Sequence, residues 1–228
     1  MKVIHLIGGG DQGGAKTHVL SLLSGLMKHI DVTLVSFRSG DFAGEAEALG
    51  IPTEIIATGN PLRDISQLRR LYRKGSYDIV HCHGAKGNMM GCLLKKLEHA
   101  TVVTTVHSDY RLDYLGRPLG NLTYGTINRI ALRMIENHIG VSDPVAEMLI
   151  SRGFSPYNLF SIYNGLDFNI THTPIDRTEY FRSMGFEVGS DDVVCGIAAR
   201  LSPVKDIPTL LRAFASTPPH MKLIIAGD

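Results

Sequence analysis

The sequence predicts an α/β fold: a doubly wound parallel sheet of Rossmann-like type, followed by an incomplete second βαβ unit. Three observations predict it. Short β-branched runs alternate with longer segments of helical period; the runs are nearly all apolar, as strands covered on both faces must be. A glycine-rich turn, GGGDQGGAKTH from Gly8 to His18, joins the first run to the first helical segment.

Strands are expected at Val3–Ile7, Val32–Phe37, Thr53–Ala57, Asp78–Cys82, Val102–Val106, His138–Val141 and Leu159–Tyr163, where apolar and β-branched residues concentrate. Helices are expected between them at Ala15–His29, Phe42–Leu49, Ile65–Lys74, Asn88–Glu98, Leu122–Asn137 and Val145–Arg152, each with a 3.6-residue apolar period. Strand and helix repeated in this way imply parallel strands joined by right-handed crossovers. Asp64 is expected to cap the helix entered at Ile65, and Asp143 with Pro144 reads as a cap followed by proline at the first helical position.

After Tyr163 the rhythm changes. Residues 164–190 carry Asn164-Gly165, Pro174 and a short helical stretch at Glu179–Met184. A new βαβ follows: Val193–Ala198, a loop holding Arg200 to Lys205, a helix capped by Asp206 that runs to Ala215, and Leu223–Ala226. The expected organisation is therefore a domain over residues 1–170, a linker over 171–190 and the start of a second domain over 191–228. A βαβ of about 35 residues cannot bury its own sheet faces.

Composition narrows the function. The 228 residues carry a formal net charge of +1, which argues against nucleic-acid binding by the chain as a whole. Charge is uneven, however: residues 60–100 hold eight Lys/Arg against three acids, a local +5 that leaves the remainder at −4. Cys82, Cys92 and Cys195 are far apart and form no C-x-x-C pair, so a reducing compartment and no structural zinc are expected. The N-terminal apolar run is too short for a signal-peptide core and no run suffices for a membrane span, so the expected location is cytoplasmic.

The glycine-rich turn admits three readings. Gly8, Gly10 and Gly13 match G-x-G-x-x-G, but a dinucleotide site also needs an acid near the end of the second strand, where Arg38 stands instead. An arginine there suits a 2′-phosphate, so NADP stays open. A phosphate loop fails on spacing, because Ala15 separates Gly14 from Lys16. Gly13 and Gly14 would still let an anion approach unpaired N–H groups at a helix N-terminus, against the alternative of a tight turn that binds nothing.

Seven motifs then occur in a telling order: GGAKTH (Gly13–His18), DIVHCHGAKGNMMG (Asp78–Gly91), TTVHSDYR (Thr104–Arg111), GVSDPVAEML (Gly140–Leu149), YNGLDF (Tyr163–Phe168), AARLSPVKDIPTLLRAF (Ala198–Phe214) and LIIAGD (Leu223–Asp228). The chain resembles the family 4 glycosyltransferases along essentially its whole length. That resemblance implies a retaining, metal-independent enzyme of the two-lobed GT-B fold, with no cofactor and a nucleotide-diphospho-sugar as co-substrate. It implies that Arg200 and Lys205 hold the donor diphosphate, with Gly13 and Gly14 approaching from the other side, and that His107 contacts the transferred sugar. A leaving diphosphate without Mg²⁺ needs fixed cations and donors, so the chemistry is coherent. His18, Tyr110 and Arg111 are the candidates for the acceptor, a sugar or lipid-linked molecule.

Each candidate has a plainer reading. His107 suits a strand-end histidine bonded to backbone, Arg200 and Lys205 suit solvated loop charges, and His18 suits helix packing or capping. Tyr110 and Arg111 suit an ordinary surface loop. His81 and His83 alternate along a strand, but no carboxylate cluster lies near them in the sequence, so no metal site is expected. The basic helices with Arg69, Arg70, Arg73, Lys74, Lys95 and Lys96 suit either an anionic membrane surface, giving a peripheral location at its inner face, or plain solvation. Two departures stand out against the family: Asp206 where glycine is usual after the lysine, and no glycine turn or paired-glutamate motif after LIIAGD. The resemblance accordingly implies little or no transfer by these 228 residues alone. The alternatives are a non-catalytic acceptor- or partner-binding module and an NADP-binding enzyme.

Overall fold

The computed structural model describes residues 1–10, 14–113, 120–165 and 173–227. The chain divides into two compact units, Met1–Leu166 and Asp167–Asp228. In the first, β1 (Lys2–Ile7), β2 (Asp31–Ser36), β3 (Thr53–Ile55), β4 (Ile79–His83), β5 (Val102–Val106), β6 (Asn137–Gly140) and β7 (Leu159–Ser161) form one sheet. Its order is β3-β2-β1-β4-β5-β6-β7 and every described pairing is parallel. The fold is the expected α/β, Rossmann-like one. The chain runs outward from β1 to β3, returns to place β4 beside β1, then runs outward the other way; β1 and β4 thus flank the switch point where such sheets bind ligands.

The helices are α1 (Gly14–Leu26), α2 (Asp41–Ala48), α3 (Pro61–Gly75), α4 (Gly84–Glu98), α5 (Thr126–Met134) and α6 (Asp143–Ser151). Strand alternation sorts the core into two layers. Ile4, Leu6, Val80 and Cys82 pack with Met90 and Leu94 of α4 and Ala131 of α5, whereas Ile7, Val32 and Leu34 pack with Val19, Leu20 and Leu23 of α1 and Phe42 and Ala46 of α2. No helix among the described residues is long and apolar enough to cross a membrane.

Two caps differ from expectation. Asn60 caps α3, accepting from the N–H groups of Leu62 and Arg63, because Pro61 can open a helix without needing its missing donor. Asp64 lies inside the first turn, buried, and accepts from the Thr58 N–H and hydroxyl at 3.0 and 2.7 Å. Ser142, not Asp143, occupies the N-cap of α6; Asp143 instead accepts from the Tyr163 hydroxyl at 2.9 Å. The stretch expected as one helix from Leu122 begins as a π-helical turn, Asn121–Gly125, and ends at Met134, because Ile135 turns extended and drops into the core.

The second unit holds α7 (Arg177–Ser183), β8 (Val193–Ala198), a 3₁₀ turn (Pro203–Lys205), α8 (Ile207–Phe214) and β9 (Met221–Ala226), with β8 and β9 parallel. Ile207 is its sole buried apolar side chain among the described residues, while Val193, Leu201, Val204 and Leu211 stay exposed. A two-stranded sheet with one crossing helix leaves its faces uncovered.

Helix α4 lies close against β1 because Gly87 has no side chain. A Cβ there would sit 2.3 Å from the Leu6 carbonyl oxygen, inside the sheet's own backbone. Gly87→Ala should therefore lower the unfolding free energy by about 2–3 kcal/mol. The check is a denaturant midpoint that drops with unchanged slope.

Candidate functional site

The site lies at the carboxyl edge of the sheet around β1, β4 and β5. Gly9 follows β1 with φ +79°, and a Cβ there would meet the Ser36 hydroxyl at 2.2 Å. Glycine thus lets the turn after β1 pack onto the turn after β2, where the Ser36 hydroxyl donates to the Arg38 carbonyl at 2.7 Å. Gly13 lies outside the described residues. Gly14 opens α1 and faces open space, with no heavy atom within 4 Å of where a Cβ would be.

Five histidines gather here: His5 on β1, His18 on α1, His81 and His83 on β4, and His107 just past β5. The parallel register sets His5 beside His81, and alternation puts His83 on the same face two residues on. His5 Nδ1 lies 3.2 Å from His83 Nε2, His83 Nδ1 lies 3.4 Å from His107 Nε2, and His81 Nε2 lies 2.7 Å from the Thr105 hydroxyl. His18 meets His107 edge-on, with ring centroids 4.9 Å apart, and its Nε2 is buried without a hydrogen-bond partner among the described residues. Among the described residues no carboxylate hydrogen-bonds any of the five rings. Two nitrogen triplets, from His5, His81 and His83 and from His18, His83 and His107, each lie within 4.8 Å of one another. Such spacing would serve a metal; of the ten ring nitrogens, five are paired with one another or with Thr105 in the hydrogen bonds above, and His5 Nε2 and His18 Nε2 are buried without a partner among the described residues.

Burial holds the cluster neutral. It pushes His81 down to about 3 and His107 to about 4, and it lowers His5, His83 and His18 in the same direction, each helped by neighbouring imidazoles except His18, where Asn164 opposes. The cluster acts through hydrogen bonds rather than charge at pH 7.

The segment after β5 is anchored by Asp109, whose carboxylate accepts two bonds from Arg152 at 2.6 Å each. Arg152 also lies over the Tyr110 ring at 5.0 Å. Tyr110 is 5% exposed and packs edge-on against Phe154, so it belongs to the core and not to a ligand-facing loop surface. The apolar and cationic partners that bury it come from α6 and beyond, far away in sequence. Arg111 is exposed, and its charge adds to the Arg152 pair in lowering the Asp109 carboxyl.

Arg200 and Lys205 belong to the second unit. Both are exposed and without an ion pair among the described residues, on a compact loop after β8 closed by backbone bonds from Ser202 to Arg200 and from Lys205 to Ser202 at 2.8 and 2.9 Å. Asp206 follows with φ +46° and makes no side-chain cap bond to α8. This left-handed backbone is the conformation glycine adopts freely and aspartate tolerates, which accounts physically for glycine being the usual residue there.

Sequence reasoning singled out His18 and His107, which the structure brings together, and weighed His81 and His83 as a pair. It missed His5 and Asn164. The available signal was the period of two along β1, which puts His5 on the same face as Ile7, but nothing local announced that β4 would lie beside it.

A doubly wound parallel domain with its polar cluster at the switch point defines a ligand-binding Rossmann-like protein. The chain belongs to the family described as Glycosyltransferase Family 4, which it matches over residues 12–169. It is similar to the D-inositol 3-phosphate glycosyltransferases of Mycobacterium bovis and Mycobacterium tuberculosis, 22% identical over 194 residues, or 83% of this chain and 39% of those proteins. Among solved structures, Anabaena Alr3699/HepE in complex with UDP-glucose matches with a TM-score of 0.80 at 22% identity, over 99% of this chain and 60% of that one. The UDP-GlcNAc 2-epimerase from Neisseria meningitidis, bound to UDP-GlcNAc, shares the fold at a TM-score of 0.62 and 13% identity, over 99% and 65%. The chain thus spans about two fifths of those curated relatives' length and three fifths of the HepE chain. Family membership disfavours the dinucleotide reading of Gly8, Gly10, Gly13 and Arg38; the Arg38 side chain instead covers Gly10, with Nη1 3.0 Å from the position of a Cβ there.

Neutral burial has a direct consequence for stability. Below about pH 6.5 the unfolded chain takes up protons on histidines that the folded chain leaves neutral, so stability is complete above 6.5 and falls as pH drops towards 4 and 3. At pH 5, His81 and His107 should each account for a loss of about 2 kcal/mol. Denaturant unfolding at pH 7 and pH 5 measures this, and equal free energies at the two values would contradict neutral burial.

Proposed function

We propose that the protein carrying this chain is a retaining glycosyltransferase that moves a sugar from a nucleoside-diphospho-sugar to a hydroxyl of a sugar or lipid-linked acceptor. The observation that carries this reading is the convergence of His18 and His107 at the switch-point edge beside the open Gly14, in a chain of this family. The HepE structure, similar in fold, holds UDP-glucose, which makes a UDP-sugar the first donor to test.

On this reading the transferred sugar meets neutral groups. His107, kept uncharged by burial, offers a hydrogen bond to a sugar oxygen, and His18 with Arg111 lines the acceptor side. The diphosphate meets charge. As the glycosidic bond breaks, negative charge builds on the departing phosphate oxygen, and the exposed, uncommitted Arg200 and Lys205 neutralise it without a metal. Gly13 and Gly14 let the donor approach the start of α1.

A contact with an anionic membrane would rest on fewer charges than the helices carry. Arg69 and Arg73 both pair with Glu98, and Lys95 pairs with Glu136, which leaves exposed Arg70, Lys74 and Lys96 for such a surface.

The test is a transfer assay on the whole protein with UDP-glucose and related donors, run with and without EDTA. Lys205→Ala and His107→Ala should each lower kcat/KM by about a hundredfold or more while circular dichroism stays native. EDTA should leave the rate unchanged. Wild-type rates in both variants would sink the site assignment, and a rate abolished by EDTA and restored by a divalent cation would sink metal independence.

A further inference from the structure

Three of the five histidines form a hydrogen-bonded file that runs from the interior of the sheet to its edge. His5 is fully buried on β1, His83 is fully buried at the end of β4, and His107 is half-buried just past β5. The links are His5 Nδ1 to His83 Nε2 at 3.2 Å and His83 Nδ1 to His107 Nε2 at 3.4 Å. The far nitrogen of His5, Nε2, is buried with no hydrogen-bond partner among the described residues.

A neutral imidazole has one donor and one acceptor nitrogen, so the file can be ordered in only two ways. With protons pointing inward, His107 Nε2–H donates to His83, His83 Nε2–H donates to His5, and His5 is left with a buried N–H at Nε2 that has no acceptor among the described residues. With protons pointing outward, His5 Nδ1–H donates to His83 Nε2 and His83 Nδ1–H donates to His107 Nε2. His5 then keeps only a bare lone pair at its orphaned nitrogen. A buried N–H without an acceptor is the rarer and costlier defect. Protonating His83 on both nitrogens would satisfy both links but would place a charge inside a fully buried cluster with no carboxylate partner among the described residues.

We infer that His5 and His83 hold His107 in a single tautomer, protonated on Nδ1, so that its ring presents an N–H donor rather than a lone pair to a ligand at the sheet edge. His83 is thus a positioning residue acting through His107, and His5 sets the direction of the file. The tautomer stands on hydrogen bonding alone; its use as a donor to an oxygen of the transferred sugar rests on the function proposed above.

Nitrogen-15 imidazole spectra of the protein at pH 7 test the assignment directly. His5, His83 and His107 should each show a protonated Nδ1 and an unprotonated Nε2. His83→Leu should release His107 into a mixture of tautomers, whereas His83→Gln, whose amide N–H can still donate to His107 Nε2, should preserve the pattern. An Nε2–H form on any of the three wild-type rings would overturn the inference, as would a stoichiometric zinc bound through these nitrogens. In the transfer assay, His83→Leu should lower kcat/KM about tenfold, the equivalent of one hydrogen bond, with His83→Gln within about threefold of wild type. His107→Ala separates the two claims. If it is harmless, the proposed function of the site fails; if it is harmful while His83→Leu is not, the positioning role fails.

Discussion

The register between β1 and β4 is the constraint on which the site depends. These strands are neighbours in space but 76 residues apart at their first contact, where the Lys2 N–H donates to the Asp78 carboxylate at 2.7 Å and the Asp78 N–H returns to the Lys2 carbonyl at 2.9 Å. Further along, the bare Cα of Gly87 lets α4 press against the Leu6 carbonyl. Between those two points the pairing has no freedom to slip, since a shift of one residue would turn Ile4 and Leu6 out of one core layer and His5 into it. Holding that register is what sets His5 beside His81 and within reach of His83. Sheet geometry alone places His5, His81 and His83; His107 just past β5 and His18 on α1 complete the cluster from the edge.

The two units carry different electrostatics, and the difference matches what the proposed reaction requires. The first unit offers hydrogen-bonding groups without charge: a file of imidazoles kept neutral by burial, and a helix start that faces open space. The second offers charge without burial, with Arg200 and Lys205 exposed on a short loop. A sugar ring is neutral and is recognised by directional donors and acceptors, whereas a diphosphate is recognised by cations. A histidine cation among those buried rings would be costly, so under the proposed function the sugar would be oriented rather than attracted there. The cost of that neutrality is paid in acid, where the same burial opposes folding.

Most of the sheet could be read from the sequence because parallel strands covered on both faces must be apolar, and the runs around Ile4, Val35, Val80 and Thr104 have that character. The misreadings have local causes. The strands β3 and β7 stop short of Ala57 and Tyr163 because they are edge strands, paired on one side only. Asn60 and Ser142 were overlooked as caps because Asp64 and Asp143 are equally good capping residues in isolation; Pro61 lets α3 begin at its first helical position three residues before Asp64, and α6 takes in Asp143 as its own first residue. Tyr110 looked like a loop residue because its burial depends on Arg152 and Phe154. The histidine file was hardest of all, since the sequence around His83 says nothing of which strand sets His5 beside it or which strand end brings His107 to it.

The fold alone does not choose the chemistry. An epimerase shares this architecture with a glycosyltransferase at TM-scores of 0.62 and 0.80, so a switch-point site in a Rossmann-like domain admits more than one reaction on a nucleotide sugar. What separates such enzymes has to be sought in the atoms that face the reacting carbon. An epimerase that moves a proton needs groups that ionise near neutrality, whereas a transferase that leaves the sugar's other carbons untouched is better served by groups that do not. A cluster whose rings are all pushed below the ordinary imidazole range, with no carboxylate bonded to them among the described residues, is poorly suited to shuttle protons at pH 7. On the proposed reading, what it does instead is hold one sugar oxygen in one place by hydrogen bonding.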